Sequence, residues 1–108
     1  MIRILYFSTA RPSVGRNEVN EIVAQSTKSN NTIGVTGALA FNGRNFCQVL
    51  EGEADTLRAL VERIRLDERH SGFKILDEKE IETRYFADWS MQLVDDLDFS
   101  KVINSMHH

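Results

Sequence analysis

The chain has 108 residues, 42% hydrophobic and 27% charged, with a formal net charge of −3, which is the profile of one globular domain with a single core. No run of about 18 apolar residues marks a membrane span, the start Met1-Ile2-Arg3-Ile4-Leu5 is too short for a signal peptide, and no basic run marks a nucleic-acid surface. Cys47 is the single cysteine, so there is no internal disulfide, no zinc-ligand spacing and no metal expected, and a reducing, cytoplasmic setting fits.

Residues 2–8 alternate as a strand, with Ile2, Ile4, Tyr6 and Ser8 on one face and Leu5 and Phe7 on the other. Residues 9–15 hold the one Pro and a Gly and read as a loop. Asn17 is placed to cap a helix whose first turn carries Glu18 and Glu21, which suits the positive end of its dipole. Val19, Ile22, Val23 and Ser26 then share one helical face, and the helix is expected to end near Ser29-Asn30-Asn31. Gly34-Val35-Thr36-Gly37 leads into a strand over 38–41, and Asn42-Gly43 signals a hairpin into the antiparallel strand Phe46-Cys47-Gln48-Val49-Leu50. A second helix over 54–66 presents Leu57, Leu60, Val61 and Ile64 on one face.

A polar turn over 67–72 precedes a strand over 73–81, in which Phe73, Ile75 and Asp77 alternate against Lys74 and Leu76. A further strand over 89–94 puts Trp89, Met91 and Leu93 on one face. Residues 95–106 suffice for a short helical extension with Leu97, Phe99, Val102 and Ile103 as its apolar positions, and His107-His108 are set aside as a candidate tag remnant. The order β-α-β-β-α-β-β predicts an α+β, ferredoxin-like sandwich: a five-stranded mixed sheet with two helices on one face, one unit over 1–94 and an extension over 95–106. The opposite sheet face carries Leu5, Phe7, Val49 and Val94, so a C-terminal helix, a second subunit or a protein partner is expected to cover it.

Gln48 is the informative residue. It shares a strand face with Phe46 and Leu50, which mark that face as core. A buried amide needs partners for its donors and its acceptor or costs roughly 1–3 kcal/mol per unmet group. Two readings stand: an amide bonded to a neighbouring backbone or water, or an amide held beside a polar ligand inside the core. Tyr6 points to the same face from an adjacent central strand. Asn30 serves either as a helix C-cap or as a donor–acceptor pair for the imide edge of a heterocycle. Trp89 and Met91 are core fillers by default.

Tyr6-Phe7-Ser8, then Asn30 with Gly34-Val35-Thr36-Gly37, Gln48-Val49-Leu50-Glu51-Gly52, Asp67-Glu68-Arg69-His70 and Trp89-Ser90-Met91 occur in one order at one spacing. This pattern resembles the BLUF family of blue-light sensors that use FAD, over residues 2–94. The resemblance implies a non-covalent FAD, with FMN as the alternative flavin, lying between the two helices against Ile22 and Ile64. It implies that Tyr6 is the electron donor and that Gln48 lies between Tyr6 and flavin N5 and O4. Asn30 bonds the O4/N3 edge, Arg69 and His70 lie near the pyrimidine end, and Trp89 and Met91 exchange places near the glutamine. Asn31 follows Asn30, and the six-residue offset of Asn30 to Thr36 favours Asn30. No glycine-rich phosphate loop is present, so the cofactor tail is expected to be loosely held. The implied partners are the flavin and a homo-oligomer or effector on the sheet face away from the helices; the domain is not expected to be an enzyme. Two other classes compete. An acylphosphatase-like hydrolase on the same plan would use the loop holding Arg11 and Arg16, and a plain interaction module would need no ligand.

Overall fold

The computed structural model describes residues 1–88, 91–93 and 99–108. The elements are β1 (Ile2–Ala10), α1 (Arg16–Ile33), β2 (Thr36–Phe41), β3 (Asn45–Gly52), α2 (Ala54–Arg65), β4 (His70–Glu80), β5 (Gln92–Leu93) and α3 (Ser100–Asn104), followed by a 3-10 turn over Ser105–His107. The sheet order is β4-β1-β3-β2-β5. The four long strands pair antiparallel, and β5 adds two residues parallel to β2, Gln92 beside Ala38 and Leu93 beside Leu39. The fold is α+β, with an antiparallel sheet and helices. Of the expected last strand over 89–94, Gln92–Leu93 forms strand among the described residues, and Trp89, Val94 and Leu97 lie outside them.

β1 and β3 are central, which explains their near-continuous apolar runs. Ile2, Ile4, Tyr6, Phe46 and Leu50 face α1 and α2 and join Val19, Leu57 and Val61 in one core. Ile22, Val23, Leu60 and Ile64 pack against it half-buried, as the two helical stripes require. Leu5, Ala38, Ala40, Cys47 and Val49 face the other way and are covered by Phe86, Val102 and Met106, with Phe7 and Phe99 packed alongside. The cover expected for this face is therefore supplied by the chain's own C-terminal segment, and a partner approaching here would meet α3 before the sheet.

Four local expectations need correction. The N-terminus of α1 is capped at Gly15, whose N–H donates to Glu18 Oε2 at 2.9 Å, and Asn17 lies inside the helix. The helix passes Asn30-Asn31 and ends where Gly34 adopts φ 72°, its N–H donating to the Asn30 carbonyl. β4 begins at His70, so the polar turn is shorter than 67–72. In β4, Ile75 pairs with Tyr6 but Asp77 pairs with Leu5, with a register shift between them, so these two residues fall on opposite faces. The hairpin is as its residues suggest: Asn42 Oδ1 accepts the N–H groups of Arg44 at 3.0 Å and Asn45 at 2.8 Å, and Gly43 takes φ 93°.

On the second face Arg3 and Glu51 form a buried ion pair, Nε to Oε2 at 2.9 Å. Truncating one partner leaves the other charge buried and unpaired, which typically costs about 3–5 kcal/mol. Arg3→Met is expected to lower urea-unfolding stability by about that amount, and the paired change Arg3→Met/Glu51→Leu by much less, because an apolar pair leaves no orphan charge. Equal losses in the single and double variants would contradict the pair's assignment.

Burial pushes the Cys47 thiol up from 9.0 to about 11. The folded chain thus keeps a proton that the unfolded chain releases above about 9, so this contribution is full below that pH and is lost as pH rises through about 11. Burial of Tyr6 acts in the same direction. Urea titrations at rising pH are expected to show stability falling above about pH 9, with a shallower fall in Cys47→Ala.

Candidate functional site

The register of β1 against β3 sets Tyr6 directly opposite Gln48. Both side chains project to the helical side, where the Tyr6 hydroxyl donates to Gln48 Oε1. Gln48 Nε2 donates to Met91 Sδ at 3.2 Å. Every buried side-chain nitrogen and oxygen among the described residues has a partner, so the amide in the core is satisfied. Burial raises the Tyr6 phenol above its ordinary value, and the Asp67 carboxylate adds to the shift. The phenol therefore keeps its proton and acts as a donor to the amide oxygen.

Aromatic rings fix the tyrosine. Phe73 lies 4.7 Å from the Tyr6 ring, and His70 meets it edge-on at 6.5 Å. His70 is itself held at both nitrogens: Nδ1 is 2.7 Å from Ser8 Oγ and Nε2 is 2.5 Å from the Ile64 carbonyl. A carbonyl only accepts, so Nε2 carries a proton, and in the singly protonated ring Nδ1 accepts from Ser8. This ring ties the end of α2 to β1. Arg69 is committed to Asp67, with Nη2 to Oδ2 at 2.6 Å and Nε to Oδ1 at 3.0 Å, and its hydrogen bonds hold the Asp67 carboxyl below the usual carboxylate range. Met91 is tied to α1 through its carbonyl, which accepts from Thr27 Oγ1 at 3.4 Å.

Tyr6, Gln48, Asp67, Arg69 and His70 share the lining of a cleft of about 80 Å³ between α1 and α2. Ile22 and Ile64 face each other from the two helices, Leu39 and Phe46 form apolar floor, and Tyr6, Gln48, Asp67, Arg69 and His70 supply polar groups. A neighbouring cavity of about 200 Å³ shares Ser26, Gln48, Ile64, Asp67 and Arg69 and extends to Asn30 and Leu50. Apolar walls a helix apart, with an amide and a phenol on the floor and a second amide at one end, suit a flat ring system with one polar edge.

Of the residues expected from the sequence, Tyr6, Ile22, Gln48, Ile64, Arg69 and His70 line one cleft, and Asn30 lines its extension. Met91 joins through Gln48, and Trp89 lies outside the described residues. Asn30 is buried and Asn31 is exposed. Sequence reasoning missed Ser8, Thr27, Leu39 and Asp67 as parts of the site. Asp67 had a signal, since it opens the Asp67-Glu68-Arg69-His70 stretch; Ser8 had one in sharing a strand face with Tyr6. Thr27 had none. The hydrolase alternative has no support: the Arg11 guanidinium donates to the Glu68 carbonyl, and Arg16 lies over the Phe41 ring at 5.9 Å. Among the described residues no three His, Cys, Asp or Glu side chains are grouped to hold a metal, and no helix is long and apolar enough to cross a membrane.

A sequence profile of the BLUF family, sensors of blue-light using FAD, matches residues 1–92. The chain is 30% identical over 89 residues to the photoactivated adenylate cyclase subunit beta of Euglena longa, covering 82% of this chain and 10% of that protein. It is 30% identical over 92 residues to the blue light- and temperature-regulated antirepressor BluF of Escherichia coli (strain K12), covering 85% of this chain and 23% of that protein. The dark-state structure of BlrB, a BLUF protein, superposes with a TM-score of 0.85 at 28% identity, over 98% of this chain and 82% of that one. The chain thus spans a quarter or less of the two relatives' lengths while matching almost the whole of a BLUF unit, and it belongs to the BLUF family as a flavin-binding blue-light sensor domain.

Proposed function

We propose that Tyr6, Gln48 and Met91 form the light switch of this domain and that FAD, with FMN as the alternative, occupies the cleft between α1 and α2. Residues 1–94 would be the sensor and 95–106 its output extension. Ile22 and Ile64 hold the ring from its two sides, Asn30 bonds its O4/N3 edge, and Arg69 and His70 stand at the pyrimidine end. A bound flavin supplies a chromophore that becomes a strong oxidant when excited by blue light.

The chain's own groups do the rest. Tyr6 would give an electron, and through Gln48 its phenolic proton, to the excited chromophore and would take both back on recombination, leaving Gln48 rotated or in its imidic tautomer. One observation carries this reading: the two ends of the Gln48 amide have different partners. A thioether sulfur accepts a hydrogen bond and never donates one. Met91 Sδ therefore requires the NH₂ end, which leaves the oxygen for the Tyr6 hydroxyl. Turning the amide over deprives Met91 of its donor, and moving a proton to the oxygen leaves the nitrogen a single N–H. The bond is worth about 0.5–1.5 kcal/mol, enough to shift a side-chain equilibrium by up to roughly tenfold and small enough to reverse thermally. Met91 then moves relative to Thr27 and β5, and Trp89 is positioned in sequence to take its place.

The sensor's output passes to an effector, either a further domain or a separate protein. A cyclase and an antirepressor stand among the relatives. The domain itself performs no substrate turnover in this reading.

A blue-light difference spectrum of the purified chain tests it. A small red shift of the flavin band that reverses in the dark is expected. Gln48→Leu should retain flavin and abolish the shift, and Tyr6→Phe should do the same with a nearly unchanged dark spectrum. A normal photocycle in Gln48→Leu would sink the mechanism.

A further inference from the structure

Glu51 belongs to the same Gln48-Val49-Leu50-Glu51-Gly52 stretch as the switch amide but points to the opposite face of the sheet, where it takes no part in the cleft. It is fully buried, and so is Arg3, its partner across β1–β3. Glu51 Oε2 accepts from Arg3 Nε at 2.9 Å and from the Tyr85 N–H at 2.8 Å, and Oε1 accepts from the Phe86 N–H at 2.7 Å. Arg3 also donates through Nη1 to the Ser105 carbonyl at 3.0 Å. Arg84, next in line, donates to the Gly34 carbonyl at 2.7 Å, the Thr36 hydroxyl at 2.9 Å and the Glu51 carbonyl at 3.2 Å. One ion pair thus fastens two remote stretches: Glu51 holds residues 85–86 ahead of Met91, and Arg3 holds the C-terminal turn after α3.

Net stability does not explain a buried ion pair, because an apolar pair of similar volume usually serves as well. A charged, multiply hydrogen-bonded pair supplies direction: donors from β1 and from residues 85–86 meet one carboxylate, and the Arg3 guanidinium reaches on to Ser105. We propose that Arg3 and Glu51 are a positioning pair for light output, holding residues 84–86 as an anchor ahead of Met91 and tying the C-terminal helix to the same point. Phe86 lies five residues before Met91. With Phe86 pinned, a displacement of Met91 is not absorbed upstream. It passes to Gln92–Leu93 and on to α3, whose Val102 packs in the cluster of Cys47 and Val49 beneath β3. The inference rests on the Gln48–Met91 reading above.

Hydrogen–deuterium exchange of the full flavin-loaded chain, dark and lit, tests it, with the flavin absorbance recorded on the same samples. The unaltered chain is expected to show both the red shift and a light-dependent exchange difference in residues 99–106. Arg3→Met/Glu51→Leu should keep the red shift and lose that difference. A merely structural pair would change exchange equally in dark and light and leave the difference intact. Arg3→Lys, which retains the charge, should keep it in part. Should the double variant fail to fold, Glu51→Gln is read in the same way and should diminish the difference. A red shift with an undiminished difference in the variants, or with no difference in the unaltered chain, overturns the inference. Absence of any red shift in the unaltered chain overturns the switch reading itself, and the inference with it.

Discussion

The antiparallel register between β1 and β3 sets both polar pairs of this core. Tyr6 stands opposite Gln48 and Arg3 opposite Glu51. The two pairs are three residues apart on each strand, so they face opposite sides of the sheet. A slip of β1 by one residue would turn Tyr6 away from the cleft and Arg3 into it, parting them from Gln48 and Glu51. Apolar neighbours prevent that slip, because every position between them is buried on the face it now occupies.

The cleft depends on rigid elements and not on loops. Its floor is β1 and β3, its walls are α1 and α2, and one ring closes the corner where α2 ends: His70 bridges Ser8 and the Ile64 carbonyl. Asp67 and Arg69 sit on the rim, already paired with each other. The floor amide is different. Its partners are a phenol and a thioether, neither of which holds it as firmly as an ion would. Charged bonds therefore surround the site, and neutral ones lie at its centre.

The alternation in Phe46-Cys47-Gln48-Val49-Leu50 and in Ile2-Arg3-Ile4-Leu5-Tyr6 made the two central strands and the inward amide legible in the sequence. The helical stripes were legible for the same reason. Helix ends were not: Asn30-Asn31 resembles a stop, yet the chain needs a residue tolerant of φ 72°, and Gly34 is the first available. The phase of β4 was hidden because a register shift leaves no mark in composition. Arg3 is a single charge in an apolar strand, with nothing beside it in sequence to mark it as buried. Its burial depends on residues 99–106 folding back over the sheet, a tertiary event that no local pattern announces. Met91 was found by motif, but its hydrogen bond to Gln48 needed coordinates.

Cys47 lies between these two worlds. It is the chain's one cysteine, it is buried and unpaired, and it adjoins Gln48 while facing Val102 and Met106. Its S–H stretch absorbs in an infrared window free of other protein bands and responds to small changes in local packing. The fold therefore carries its own vibrational gauge at the midpoint between cleft and C-terminal helix, readable without any label.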